Sequence, residues 1–351
     1  MPLPHNYISV IVSKVMKNTI VAVIGGGAWG TALANLLGEK GVKVRLWVYE
    51  SDLCQIIKEN RENTFFLPGV RLSENISPST SMKEASEGVR VFIIASPSHV
   101  LRGVLNSLKE YLPKDAIIVS VTKGIENDTL KLPSQIFEEI LSKEIYNRTA
   151  YLSGPTFAKE VINKFPTAAT IATKDKEIAE YIQTLFNTPY FRIYTHTDII
   201  GVEIGGAIKN VIAIAAGASD GLGFGNSARA ALITRGLAEM VRLGTAMGAD
   251  PVTFTGLSGI GDLVLTCTGD LSRNRTVGIK LGQGIKLDEI LKDMRMVAEG
   301  VKTTKSAYEL GKKHKVELPI INEVYAILYE GKSPKDAVVN LMGRSLKKEF
   351  Q

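Results

Sequence analysis

The chain has 351 residues, of which 45% are hydrophobic and 22% charged. At roughly 150 residues per domain this is about two domains with ample core, and the composition excludes a disordered chain, a collagen or a disulfide scaffold. The net charge of +6 is spread without a long basic run, so no nucleic-acid partner is implied and an anionic small substrate suits it equally well.

The opening stretch, residues 1–18, holds the short apolar run Tyr7-Ile8-Ser9-Val10-Ile11-Val12. It lacks a basic n-region and a small-residue cleavage site, so it reads poorly as a signal peptide. Residues 1–18 read as an N-terminal extension, and with Met16 just before the first strand run the expectation is a start there that leaves residues 1–15 untranslated. Thr19–Ile24 is a β-branched run suited to a strand buried on both faces. It ends in Gly25-Gly26-Gly27-Ala28-Trp29-Gly30. A helix is predicted over Thr31–Lys40, a strand over Val42–Tyr49 and a helix over Ser51–Asn60. Strands Val89–Ala95 and Ala116–Val121 follow, with helices Ser98–Tyr111 and Ser134–Lys143 after them. A strand end at Tyr151-Leu152-Ser153, then Pro166–Thr173, a helix over Asp175–Phe186 and Phe191–Tyr194 complete the alternation.

Repeated βα units predict an α/β fold with a mostly parallel sheet covered on both faces. The expectation is a Rossmann-like doubly wound sheet over residues 19–197 and an all-α domain over 198–351, where Ala, Gly, Leu and Ile at helical spacing dominate. No linker separates them, which predicts close packing with the site between. In such sheets ligands lie outside the carboxyl ends of the strands, which selects the loops after Ile24, Tyr49, Ala95 and Val121. The long apolar stretch Ile199–Ala216 carries Glu203, Lys209 and Asn210, so it reads as a buried helix and no stable membrane insertion is expected. Cys54 and Cys267 lie far apart outside any CxxC pair and the four histidines are scattered. No metal is expected, and low cysteine use fits a reducing, cytoplasmic compartment.

Gly25-x-Gly27-x-x-Gly30 matches the dinucleotide fingerprint: a tight turn, close backbone approach to a pyrophosphate, and close packing of helix on strand. The helix start then offers free N–H groups to phosphate. A glycine-rich turn with no ligand and a methyltransferase-like nucleoside site are the other readings of this string. The flanking strand and helix favour the dinucleotide. Glu50 lies 20 residues past Gly30 at the end of the second strand. A carboxylate there accepts from both ribose hydroxyls of NAD and repels a 2′-phosphate unless a base such as Arg45 intervenes. With Tyr49 before it, the reading leans to NAD. A solvated strand-end charge is the alternative.

Glu203 and Lys209 sit on different faces of their helix and cannot pair along it. An unpaired buried ammonium is costly, so Lys209 needs a partner elsewhere or faces a cavity, as a catalytic or substrate-binding group or as a structural ion pair. Lys123 follows a central strand at the ligand-binding edge. A second cation near Lys209 would depress both pKa values and suit a proton donor; an ordinary loop lysine is the other reading. The glycine-rich stretch Gly256–Thr268 reads as a loop in which Asp262 orients a lysine or caps a turn. Ser272 is an N-cap candidate, and Arg273 and Arg275 at that helix start make a ready phosphate site. Cys267 reads as packing.

Taken in order, these strings resemble the soluble, nicotinamide-dependent sn-glycerol-3-phosphate dehydrogenases. The likeness runs from about residue 19 to 345. It rests on Gly25–Ala34, Phe66-Leu67-Pro68-Gly69-Val70 as a turn, Thr122-Lys123-Gly124, Leu152–Glu160, Ile208-Lys209-Asn210, Gly259–Leu263 and Ser272-Arg273-Asn274. The resemblance implies reduction of dihydroxyacetone phosphate to sn-glycerol 3-phosphate by NAD, favoured, or NADP in the reduced form, supplying glycerophospholipid synthesis in a cytoplasmic homodimer. It implies Lys209 as the catalytic lysine and Lys123 as a lysine touching substrate and cofactor. Gly154, Thr156 and Asn210 fall on substrate positions, and Asp262, Ser272, Arg273 and Asn274 on the phosphate and active-site cluster. Gly25, Gly27, Ala28, Trp29, Gly30, Tyr49, Glu50, Ala158, Arg273, Val297 and Glu299 fall on cofactor positions. Ala28 stands where many bacterial members have Ser, and Trp47-Val48-Tyr49-Glu50 is closer to the NAD-preferring eukaryotic pattern. A related 3-hydroxyacid dehydrogenase and a non-catalytic dinucleotide sensor are the alternatives.

Overall fold

Five consecutive apolar residues with no polar alternation, Ile20–Ile24, form β1, and its neighbours bury it from both sides. Val21 and Val23 face one core layer with Leu33, Leu36 and Leu37. Ala22 and Ile24 face the other, with Leu101, Leu105 and Phe137. This is how a parallel strand covered by helices on both faces must read. The computed structural model describes residues 19–292, 294, 298–346 and 348–349, so the expected N-terminal extension lies outside the described residues.

These residues group into two units, one up to Lys123 together with Lys131–Glu203, the other Gly124–Leu130 with the chain from Ile204 onward. The expected boundary at 197/198 falls two residues before the long helix Ile199–Gly221, whereas the units part inside that helix. In the first unit β1 is followed by α1 (Ala28–Glu39), β2 (Lys43–Trp47), α2 (Ser51–Asn60), β3 (Glu62–Asn63), β4 (Leu67–Arg71), β5 (Ile76–Ser79) and α3 (Met82–Ser86). Then come β6 (Val91–Ile94), α4 (Leu101–Leu108), β7 (Ile117–Ser120), α5 (Pro133–Ile140), α6 (Lys143–Tyr146) and β8 (Thr149–Ser153). The unit closes with α7 (Ala158–Ile162), β9 (Thr167–Ala172), α8 (Lys176–Phe186) and β10 (Phe191–His196).

Eight strands form one sheet in the order β10-β9-β8-β7-β6-β1-β2-β5, all pairs parallel except β8 with β9. Ile24 stands opposite Trp47 on one side and Ile94 on the other, so the carboxyl ends of β1, β2 and β6 share one edge. Three features depart from the sequence reading. Helix α1 starts at Ala28 rather than Thr31, because Gly30 lies inside the helix and serves close packing: a Cβ there would sit 2.0 Å from the Gly25 carbonyl oxygen. The segment read as a turn, Phe66–Val70, enters β4 and pairs with β3 in a small antiparallel ribbon. Strand β5, Ile-Ser-Pro-Ser, carries no β-branched run; it forms at the sheet edge, where a proline is tolerated.

The second unit has no strand among its described residues. It contains most of α9 (Ile199–Gly221), then α10 (Asn226–Ala246), α11 (Asp262–Thr268), α12 (Arg273–Gly282), α13 (Leu287–Lys292), α14 (Glu299–His314), α15 (Pro319–Tyr329) and α16 (Pro334–Met342). By length and composition α9 is apolar enough to cross a membrane, but 83% of its most apolar window is buried inside the protein. It is a core helix.

Glu203, in the first turns of α9, uses its carboxylate to accept from the Ser134 amide at 2.8 Å and hydroxyl at 2.5 Å, at the start of α5. Burial pushes its pKa up to about 8 against the opposing pull of those two bonds. Glu239 likewise accepts from the Ile320 and Ile321 amides at the start of α15, and burial raises it to about 7. A carboxyl raised in the folded state holds its proton where the unfolded chain has lost it. Its contribution is therefore complete below the ordinary value of 4.5 and is lost as pH rises through about 8. Thermal midpoints should fall between pH 6 and pH 9, and less steeply in Glu203→Gln, whose amide keeps an acceptor for Ser134 without titrating. Identical slopes in the two proteins would refute this.

Candidate active site

In the first unit the glycine loop joins β1 to α1. Gly25 has φ +127°, and Gly27 sits at the N-cap of α1 with no side chain capping the helix. The first-turn N–H groups of a helix have no partner within it, and here no side chain caps them. A Cβ built on Gly27 would meet no atom within 4 Å. The loop is thus tight where helix packs on strand and open on one side, which fits the approach of a pyrophosphate. Ala28 and Trp29 pack their side chains against the core, the Trp29 ring 6.5 Å from that of Phe191. Only their helix-start amides, not their side chains, face away from that core packing as possible donors.

At the end of β2, Tyr49 is 78% exposed and Glu50 half-buried, with no cap bond from the Glu50 carboxylate to α2. Arg45 is already engaged: it donates to the Glu84 carbonyl at 2.6 Å and lies 3.8 Å from the Glu87 carboxylate. Lys123, just past β7, donates from Nζ to the Gly154 carbonyl at 3.0 Å, and the Thr156 hydroxyl donates to the same oxygen at 3.2 Å. Ala158 begins α7 and lies against the same core cluster. Lys123, Gly154 and Thr156 therefore form one constellation at the carboxyl ends of β7 and β8.

The second constellation is built on α9. At Gly205 a Cβ would lie 2.2 Å from the Ser258 carbonyl oxygen, so only glycine lets the 257–261 segment cross the helix there. One turn further on the same face is Lys209. Its Nζ lies 2.5 Å from Asp262 Oδ1 and donates to Thr266 Oγ1 at 3.0 Å. Lys209 is 6% exposed and Asp262 0%. This resolves what Lys209 needs: a buried ammonium is tolerable when a carboxylate and a hydroxyl surround it. The partner is 53 residues away in sequence and in the same unit.

The stretch read as a loop to Thr268 is helical from Asp262 on, since an acidic residue favours the first turn. Thr266 then stands one turn after Asp262 and donates to its carbonyl at 2.6 Å. The sequence reading missed Thr266; its spacing of four from Asp262 becomes a signal only once α11 is known to be a helix. Cys267 is buried and its thiol is pushed up to about 12 by burial, so it is no nucleophile.

Asn210 directs its side chain elsewhere: its Oδ1 accepts from Asn274 Nδ2 at 2.9 Å, and Asn274 Oδ1 accepts from the Gly300 amide at 2.9 Å. This fastens α9 to the starts of α12 and α14, where Glu299 is half-buried. Ser272 caps α12, accepting from the Arg275 amide at 3.3 Å. Arg275 is spent on ion pairs with Asp220 and Asp270. Arg273, beside it, is solvent-facing as a residue, and burial lowers its pKa while it feels the Glu299 carboxylate. It is not the arginine committed to Asp220 and Asp270, so its guanidinium suits an anion. Val297, expected at the cofactor, lies outside the described residues.

Comparison with known proteins matches residues 20–179 to the model of the NAD-dependent glycerol-3-phosphate dehydrogenase N-terminus and 198–339 to that of its C-terminus. The glycerol-3-phosphate dehydrogenase [NAD(P)+] of Citrifermentans bemidjiense is 57% identical over 94% of this chain and 98% of its own. That of Geobacter sulfurreducens is 55% identical over the same shares. The solved glycerol-3-phosphate dehydrogenase of Coxiella burnetii superposes with a TM-score of 0.89 at 38% identity, covering 93% of this chain and 99% of that one. The chain belongs to the family of NAD-dependent glycerol-3-phosphate dehydrogenases.

Proposed function

We propose that Lys209 is the proton donor in the reaction that membership of this family brings, the NAD(P)H-dependent reduction of dihydroxyacetone phosphate to sn-glycerol 3-phosphate. The observation that carries the proposal is the buried Lys209–Asp262 pair steadied by Thr266. The bound cofactor supplies the hydride that reduces the ketone carbon. Lys209 Nζ stabilises the developing alkoxide and gives it a proton. Asp262 and Thr266 aim the ammonium, Asn210 and Asn274 lie alongside the substrate, and Arg273 with the Ser272-capped start of α12 holds the phosphate. Lys123, set against Gly154 and Thr156, touches both substrate and cofactor. Gly25 to Gly30 cradle the pyrophosphate, and Ala158 and Glu299 complete the cofactor contacts.

NAD is the preferred cofactor in this reading. Glu50 faces no cap partner and Arg45 is tied to Glu84 and Glu87, so neither favours a 2′-phosphate. A homodimer in the cytoplasm is the assembly and compartment that the reading extends to; the two cysteines are buried free thiols, as a reducing environment suits.

Initial rates of dihydroxyacetone phosphate reduction with NADH and with NADPH test this. The expected result is saturable turnover with both and a higher kcat/KM with NADH. Equal values, or a higher one with NADPH, would overturn the role of Glu50. Measurable NADH binding with no turnover would overturn the reaction and favour a 3-hydroxyacid substrate or a cofactor sensor.

A further inference from the structure

Three consecutive glycines, Gly25-Gly26-Gly27, leave the peptide planes of the cofactor loop almost free to rotate. Something outside the loop must hold them. Asn63, the last residue of β3, is 0% exposed and lies 37 residues from the loop in sequence. Its Nδ2 donates to the Gly26 carbonyl at 2.8 Å and to Thr31 Oγ1 at 2.7 Å. The Thr31 hydroxyl donates to the same carbonyl at 3.2 Å. Asn63 Oδ1 accepts from the Phe66 amide at 3.0 Å, which fixes the asparagine in its own ribbon.

In a trans peptide the carbonyl of one residue and the N–H of the next point in opposite directions. Two donors draw the Gly26 carbonyl inward, so the Gly27 N–H turns away from Asn63. Gly27 is also the position whose added Cβ would meet no atom within 4 Å. We propose that Asn63 is the positioning residue that aims the Gly27 amide at the cofactor pyrophosphate, without touching the cofactor itself. The proposal rests on reading the loop as a dinucleotide cradle. It assigns a purpose to the β3–β4 ribbon, which brings an amide to the one carbonyl that sets the loop's orientation. Fixing the donor before the ligand arrives is what makes a backbone anion site effective.

The test compares two probes on the full-length protein: ADP-ribose, which carries the pyrophosphate, by calorimetry, and adenosine, which lacks it, by NMR titration. Asn63→Ala should weaken ADP-ribose about tenfold or more and leave adenosine within twofold. The KM for NADH should rise while kcat at saturating NADH stays within twofold. Unchanged ADP-ribose affinity, or equal weakening of both probes, would overturn the proposal; the second result is what a merely structural role gives. If Asn63→Ala does not fold, Thr31→Val takes its place, since it removes one donor to the Gly26 carbonyl and keeps the branched shape. Selective weakening of ADP-ribose in that variant supports the proposal, and unchanged binding overturns it. Gly27→Val serves as the reference. If it leaves ADP-ribose binding intact, the cradle reading itself fails, whatever Asn63 does.

Discussion

Lys209→Ala should lower turnover of dihydroxyacetone phosphate on the order of a thousandfold while NADH binding stays close to wild type. The size follows from the typical contribution of a positioned proton donor, about 10² to 10⁴, with added loss from the missing charge at the alkoxide. The variant should also be less stable. Asp262 is 0% exposed, and removing the ammonium leaves its carboxylate buried and uncompensated, which costs about 3–5 kcal/mol. Lost folding must therefore be separated from lost chemistry. The double variant Lys209→Met with Asp262→Asn carries no buried charge and should regain most of the thermal midpoint without regaining turnover. Steady-state rates, NADH titration and melting curves on the three proteins decide the matter. Near-normal turnover in a folded Lys209→Ala would defeat the assignment.

Gly27→Val is the second large effect, and its signature is the reverse. Gly27 has φ −69° and ψ 176°, an extended conformation open to any residue, and a Cβ there meets no atom within 4 Å. The folded protein should accept valine at a cost of about 1 kcal/mol, the loss of a favourable N-cap residue without any clash. NADH affinity should fall about a hundredfold or more, because the side chain occupies the side from which the pyrophosphate approaches. Gly30→Ala offers the contrast. Its Cβ would lie 2.0 Å from the Gly25 carbonyl oxygen, so it should lower the melting midpoint and the affinity together. Equal behaviour of the two variants would show that Gly27 is as tightly packed as Gly30, against the cradle.

Much of the first unit was legible residue by residue. The runs that became β1, β6 and β7 are apolar without alternation, and strands covered on both faces read that way. Ser272 stood where a helix cap belongs and accepts from the Arg275 amide three residues on, whereas Asp175, read as the first residue of its helix, is the cap before it. Within the apolar stretch Ile199–Ala216, where Glu203 and Lys209 cannot pair along the helix, Lys209 announced that it needs a partner, since the cost of an unpaired buried charge does not depend on the fold.

What stayed hidden depends on neighbours distant in the chain. Strands β3 and β5 have no strand-like sequence; they exist because β4 and β2 supply their hydrogen bonds. The reversal between β8 and β9 leaves no mark in either strand's composition. Lys209 could be marked as needing a counter-charge, but the choice of Asp262, with Thr266 beside it, required the crossing at Gly205 and the helix beginning at Asp262. Asn63 was one polar residue among many until its amide met the Gly26 carbonyl. By itself the sequence determined the alternation of elements, the glycine loop and the residues that burial would make costly, because each is set by local propensity and by the free energy of leaving water. The tertiary structure alone decided the pairings, because hydrogen bonds and ion pairs are won by whichever donor and acceptor the packing of helices and strands brings within 3 Å or so.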